Sequence, residues 1–274
     1  MLHAAAPAPA PDAAERDLGR VALLAALLGL ALGLHLAPPL LELAGAAPPL
    51  RADSRAWCLW AAALAAFHLL EFLLTARARP AAVSAESFLL NHSRAYHAAL
   101  LAAVLEFALW RALAPEARLS PAAARVSAAG LLLVALGQAV RAVAMWQCGP
   151  NFTHLVASQR APGHELVRRG VYSVLRHPAY FGWFWWSVGT QLLLMNPVCA
   201  VLYAWASWRF FADRVPHEEL TLLDFFGEEY ADYAASTVIG IPGVESPAAS
   251  AGAARRAAMT GAAARPGGRR SMGQ

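Results

Sequence analysis

The residues able to do chemistry crowd into positions 163–244. Arg176-His177-Pro178-Ala179-Tyr180 opens a Trp-rich apolar stretch; Arg214, Glu218 and Glu219 follow it, ahead of Phe225-Phe226-Gly227-Glu228-Glu229-Tyr230. Ionisable groups on both sides of an apolar hairpin are costly unless they serve a site at a membrane surface, where a polar and an apolar ligand can meet. Arg214 and Glu218 are four residues apart and share one helical face. Spacing alone fits an exposed ion pair worth about 0.3 kcal/mol. On a helix that continues from a membrane hairpin, the guanidinium fork suits a carboxylate, and Glu218 suits an ammonium or a ribose hydroxyl. Glu219 points about 100° away from that face.

His177 precedes Pro178 at the first position of a helix, so its side chain projects beside free backbone N–H groups. That geometry serves a polar ligand or a helix-capping histidine. Tyr172 and Tyr180 suit stacking on a base or an interfacial belt, and Trp183, Trp185, Trp186, Trp205 and Trp208 suit a belt or helix packing. His68, Glu71, Glu106 and Arg141 lie inside apolar runs, as functional groups or as a mutually satisfied network. Asn151-Phe152-Thr153-His154 and His164-Glu165-Leu166-Val167 match neither a zinc nor a nucleotide-phosphate pattern. Cys58, Cys148 and Cys199 are isolated, so neither a metal site nor a disulfide framework is expected.

Positioning these residues falls to membrane helices. Of the 274 residues, 58% are hydrophobic and the mean hydropathy is +0.43, the composition of an integral membrane protein. All 22 basic residues are Arg and the net charge is +4. They gather in loops and the tail, which fits a positive-inside bias and anionic headgroups, and excludes nucleic acid as a partner. The pattern predicts an all-α bundle of about six to eight membrane helices. Residues 1–17 are expected to be disordered, 18–147 to form N-terminal membrane helices, 148–244 a catalytic region, and 245–274 a disordered basic tail.

Within this frame, Pro38-Pro39 should end or kink the first helix near His35. Residues 84–113 are too long for one span and should form two helices meeting at Asn91–Arg94. Asn196-Pro197 turns a hairpin, which returns the chain to the side it left. The 148–180 loop, with four Arg, and the C-terminal helix therefore share one face, read as cytosolic.

Together these motifs resemble the protein-S-isoprenylcysteine O-methyltransferase family. The resemblance is strongest over 151–242: Asn-Phe-Thr-His-Leu-Val (151–156), Gly-Val-Tyr (170–172), Arg-His-Pro-Ala-Tyr-Phe-Gly-Trp-Phe (176–184), Ser-Val-Gly-Thr-Gln (187–191), Asn-Pro (196–197), Trp-Arg-Phe-Phe-Ala-Asp-Arg (208–214) and Phe-Phe-Gly-Glu-Glu-Tyr (225–230). It extends more loosely to Ser-Phe-Leu-Leu-Asn-His-Ser (87–93). Arg-His-Pro-x-Tyr alone is also similar to phospholipid methyltransferases and NADPH-dependent sterol reductases, which stand as alternatives beside a non-enzymatic scaffold.

The resemblance implies a multi-pass enzyme of the endoplasmic reticulum with a cytosolic active site and C-terminus. It would use S-adenosyl-L-methionine, without a metal, to methylate the C-terminal carboxylate of farnesyl- or geranylgeranyl-cysteine in CaaX proteins of the small-GTPase type. Carried over by motif, His164, Glu165, Leu166, Val167, Tyr172, His177, Pro178, Ala179, Tyr180 and Glu218 hold the cofactor, and Arg214 faces the substrate carboxylate. Two departures stand out. Ala157 replaces the family's Gln, with Gln159 two residues on, and Pro216-His217 lacks the usual acidic run.

Overall fold

The structure, a computed structural model, describes residues 11–160 and 162–263. Residues 1–10 and 264–274, part of the termini expected to be disordered, lie outside them. The described chain is an all-α membrane protein whose one extended element is an isolated bridge between Leu175 and Val238. Helices α1 (Pro11–Leu43) and α2 (Ala52–Ala78) pair as a hairpin. They are followed by α3 (Arg94–Leu113), the short α4 (Pro115–Arg118) and α5 (Pro121–Cys148). After a long irregular segment come α6 (Pro178–Leu193), α7 (Pro197–Phe226), α8 (Glu228–Ala234) and α9 (Pro247–Ala263).

Several expectations are corrected. Pro38 and Pro39 do not end α1, which runs through them to Leu43. A proline removes its own donor, but in an apolar stretch the remaining backbone groups have no better partner than the helix. Residues 84–113 contain one long helix, not two. Ser84 caps a single 3₁₀ turn at Ala85–Phe88, and Ser93 caps α3 by accepting from Tyr96 N at 3.1 Å. Among the described residues, four helices are long and apolar enough to span: 17–43, 52–78, 94–113 and 121–151. This count does not confirm the expected six to eight: α6 has 16 residues, about 24 Å of rise, and the longer α7 turns polar after Phe211.

Packing of α5 on α6 decides where the site residues sit. Gly130 and Gly137 of α5 meet Gly182 and Gly189 of α6 so closely that a Cβ on Gly137 would lie 2.6 Å from the Gly182 carbonyl. Small residues let helix backbones approach in a membrane, where no hydrophobic gradient drives them together. The turn into α7 is held from α3: Glu106 accepts from Val198 N at 2.9 Å and Cys199 N at 2.6 Å, satisfying orphan donors of the helix start. Asn196 adds a bond to the Ala103 carbonyl at 2.9 Å.

Beyond Gly227, at φ +56, the chain turns into α8. Residues 247–263, expected to lack structure, form α9 and dock on α8. Ala248 is fully buried, and a Cβ on Gly252 would lie 2.1 Å from the Ala231 carbonyl. The small side chains that suggested disorder are what permit this contact.

Candidate active site

At the end where α5 stops and α6 begins, a cavity of about 320 Å³ opens, within the range of small-molecule sites. Most of residues 150–159 other than His154, residues 162–167, the start of α6, the polar half of α7 and α8 line it. Every residue assigned to the cofactor lies on its wall: His164, Glu165, Leu166, Val167, Tyr172, His177, Pro178, Ala179, Tyr180 and Glu218. Ala157 and Gln159 do too.

The chain reaches this arrangement through local constraints. Gly170 has φ +61, and a side chain there would strike the Gln147 amide, whose oxygen accepts from Val171 N at 3.0 Å. Tyr172 is thereby placed under α5, its hydroxyl donating to the Ala144 carbonyl at 3.3 Å. Its ring, not its hydroxyl, is left for a ligand. His164 packs edge-on against Phe225 and Phe226. Burial, with the charge of Arg160 behind it, holds its imidazole below the usual range.

Arg214 is not on the cavity wall but lies one hydrogen bond away. Its Nε donates to the Tyr180 hydroxyl at 2.7 Å, and that hydroxyl donates to Glu218 Oε2. Nη2 donates to the His154 carbonyl at 2.6 Å. Nη1 has no hydrogen-bond partner among the described residues. The guanidinium lies 5.4 Å from the Tyr180 ring and 5.7 Å from Phe210. Arg214 and Glu218 are thus joined through a shared tyrosine rather than paired directly as i,i+4 ions.

His177 does not cap α6 with its side chain. It stacks on Tyr180, nearly parallel at 5.4 Å between centroids, and turns Nε2 toward Glu219 Oε1 at 3.4 Å. Glu219 is the residue the sequence undervalued. It is fully buried and accepts from Arg176 Nε at 2.7 Å, Ser246 Oγ at 2.6 Å and Ala248 N at 3.3 Å. Burial opposes its ionisation, but bonds from His177, Ser246 and Arg176 and the charge of His177 outweigh that and lower its pKa to about 2.

Of the four ionisable residues in apolar runs, Glu71 and Arg141 pair with each other, whereas His68 meets the Phe88 carbonyl and the Tyr96 hydroxyl and Glu106 holds the start of α7. Arg141 grips Glu71 with two bonds, of 2.5 and 2.9 Å. The tryptophans mostly pack: Trp186 stacks on Phe67 at 4.5 Å, and the indole N–H groups of Trp185 and Trp208 donate to the Gly240 and Pro242 carbonyls. Among the described residues no group of His, Cys, Asp and Glu could hold a metal.

Comparison with known proteins bears on the family of the chain. The sequence profile of the isoprenylcysteine carboxyl methyltransferase (ICMT) family matches residues 130–224. The protein-S-isoprenylcysteine O-methyltransferase of Rattus norvegicus is 48% identical over 179 residues, 65% of this chain and 62% of the rat protein. The chain thus spans a little under two thirds of that relative's length. The enzyme of the same name from Saccharomyces cerevisiae is 39% identical over 235 residues, 85% of this chain and 94% of the yeast protein. The chain belongs to the isoprenylcysteine carboxyl methyltransferase family. A solved ICMT structure, described as the eukaryotic intramembrane Ras methyltransferase, superposes with a TM-score of 0.72 at 38% identity, covering 82% of this chain and 77% of that one. Of the motifs that carry the resemblance, those at 151–156, 170–172, 176–184 and 225–230 contribute residues to the cavity wall, whereas those at 187–191, 196–197 and 208–214 do not.

Proposed function

We propose that the chain methylates the C-terminal carboxylate of prenylated cysteine, using S-adenosylmethionine. The observation that carries this reading is the Arg214–Tyr180–Glu218 chain, which joins the cavity to the aromatic wall of the α6–α7 hairpin. A cofactor with charged ends fits the cavity. Glu218 keeps one oxygen without a partner among the described residues, and the Tyr230 hydroxyl on the same wall is buried with none. His164–Val167, Tyr172, His177–Tyr180 and Glu218 would hold it. S-adenosylmethionine supplies an electrophilic sulfonium methyl.

The chain's own residues then have a limited task. An α-carboxylate has a pKa near 3.5 and is already ionised at neutral pH, so no general base is required. Arg214 offers Nη1 to the carboxylate while Tyr180 and His154 hold the other two nitrogens still, which fixes the attack direction. The prenyl chain lies along the apolar helices, with access from the bilayer. Arg79 lines the cavity and Arg160 donates to the Phe225 carbonyl beside it, with Arg168 and Arg169 in the same segment, whereas at the other end Arg51 and Arg111 share Asp53, Arg55 pairs with Glu42 and Arg118 bonds the Leu194 carbonyl. The basic segment beside the cavity supports a cytosolic active site and C-terminus, in the endoplasmic reticulum, acting on CaaX proteins of the small-GTPase type. Transfer of labelled methyl from S-adenosylmethionine to N-acetyl-S-farnesylcysteine in membranes tests the reading. NADPH binding without methyl transfer would replace it with a reductase.

A further inference from the structure

The guanidinium assigned to the substrate carboxylate is anchored partly by a backbone oxygen. The His154 carbonyl accepts Arg214 Nη2, yet His154 lies in the irregular segment after α5, where no helical ladder fixes a carbonyl. Its own ring supplies the anchor. Nε2 meets Glu71 Oε2 at 2.9 Å, and the ring packs edge-on to Phe152 at 5.2 Å between centroids. Glu71 is in turn immobile within α2, 1% exposed and gripped twice by Arg141. Arg141 gives its remaining bond to the Ala179 carbonyl at 3.2 Å, next in the chain to Tyr180. The path therefore closes on itself: Glu71, His154, Arg214, Tyr180, Ala179, Arg141 and back to Glu71.

A buried ion pair is a weak source of stability, since desolvation offsets its attraction. This one does something an apolar pair cannot: it presents a fixed carboxylate oxygen to a loop histidine. None of Glu71, Arg141 and His154 lines the cofactor cavity. We infer that Glu71, Arg141 and His154 are positioning residues, which hold the anchor carbonyl of Arg214 in register with Tyr180 so that Nη1 faces the substrate carboxylate. The inference rests on the methyl-transfer reading above.

Its test uses the full chain in membranes, with His154→Ala, His154→Gln and Glu71→Gln. Methyl transfer to N-acetyl-S-farnesylcysteine and direct binding of S-adenosylmethionine are both measured. His154→Ala should lower kcat/KM for the prenylcysteine by about tenfold to a hundredfold, the scale of misplacing a reacting group, with cofactor affinity unchanged. His154→Gln, whose amide N–H can still reach Glu71, should recover most of that loss. Glu71→Gln should fall at least as far as His154→Ala, and the two His154 variants remain decisive whatever the stability of Glu71→Gln. Wild-type kcat/KM in His154→Ala, no recovery in His154→Gln, or an equal loss of cofactor binding would overturn the inference while wild-type turnover keeps the methyl-transfer reading intact. A wild-type chain without methyl transfer would overturn both.

Discussion

Arg214 has one guanidinium nitrogen without a partner among the described residues while its other two are held by Tyr180 and His154; the proposed reaction gives that nitrogen to the substrate carboxylate. Loss of one charge-assisted contact costs about 1.5–3 kcal/mol. Arg214→Ala should therefore lower kcat/KM for farnesylcysteine by at least tenfold while binding S-adenosylmethionine normally, and Arg214→Lys should not rescue it, because an ammonium lacks the planar fork. Wild-type turnover in the alanine variant would remove Arg214 from the site. The neighbouring glutamates should part by readout. Glu218→Gln should weaken cofactor binding in a folded protein. Glu219→Gln leaves Arg176 buried without its counter-charge, a loss of about 3–5 kcal/mol, and should appear first as a lower Tm in detergent; an unchanged Tm would deny Glu219 that role. Because its folded pKa lies near 2, below the unfolded carboxylate value, Glu219 stabilises the fold fully above about pH 4.3 and loses that contribution as pH falls toward 2. Tm measured from pH 7 down to pH 3 should fall less steeply in Glu219→Gln than in wild type.

At the scale of elements, α9 and the α5–α6 contact carry more than their composition suggests. The Ala/Gly-rich segment after Val244 has too little apolar surface to order itself alone, which is why its sequence reads as a loose tail. Docked, it caps itself with Ser246, gives Glu219 two bonds, and ties Arg255 to Glu228 at 2.7 Å. Truncation after Val244 should accordingly lower Tm and cofactor affinity together; an intact enzyme would show that α8 holds Glu219 without α9. In the α5–α6 contact, Gly182→Ala places a Cβ 2.8 Å from the Arg141 Cβ and backbone N. The two backbones must separate, drawing Arg141 off the Ala179 carbonyl. The expected outcome is a lower Tm with reduced methyl transfer, whereas Gly29→Ala on lipid-facing α1, where nothing lies within 4 Å, should change neither.

Across the whole molecule, the proposed methyl transfer to a prenylated substrate makes the bilayer part of the binding site. Leu23, Leu27, Leu30 and Leu34 of α1 and Val201, Leu202 and Trp205 of α7 face outward, as lipid-covered helices do. A reacting carboxylate common to every protein C-terminus cannot discriminate; a prenyl chain can, at about 0.8 kcal/mol per buried CH₂, and part of that energy can hold the carboxylate in place. Methyl-ester formation should therefore be undetectable with N-acetyl-cysteine and present with both farnesyl and geranylgeranyl derivatives; comparable turnover of the unlipidated compound would refute the site. Much of this was legible in the chain alone. Apolar run length dictates membrane helices, Asn196-Pro197 dictates a turn, and local motifs such as Arg176–Tyr180 mark the cavity wall, because each depends on neighbours a few residues apart. The partners of Glu71 and Glu219 were not legible. His154 lies 83 residues from Glu71 and Ser246 lies 27 from Glu219, and nothing in helical spacing links them. Nor did a low-hydropathy tail or four scattered glycines announce close packing, since the value of a missing side chain depends on what stands opposite it. Covalent geometry and solvent preference act along the chain and set its elements; which buried charge meets which donor is settled only when those elements pack.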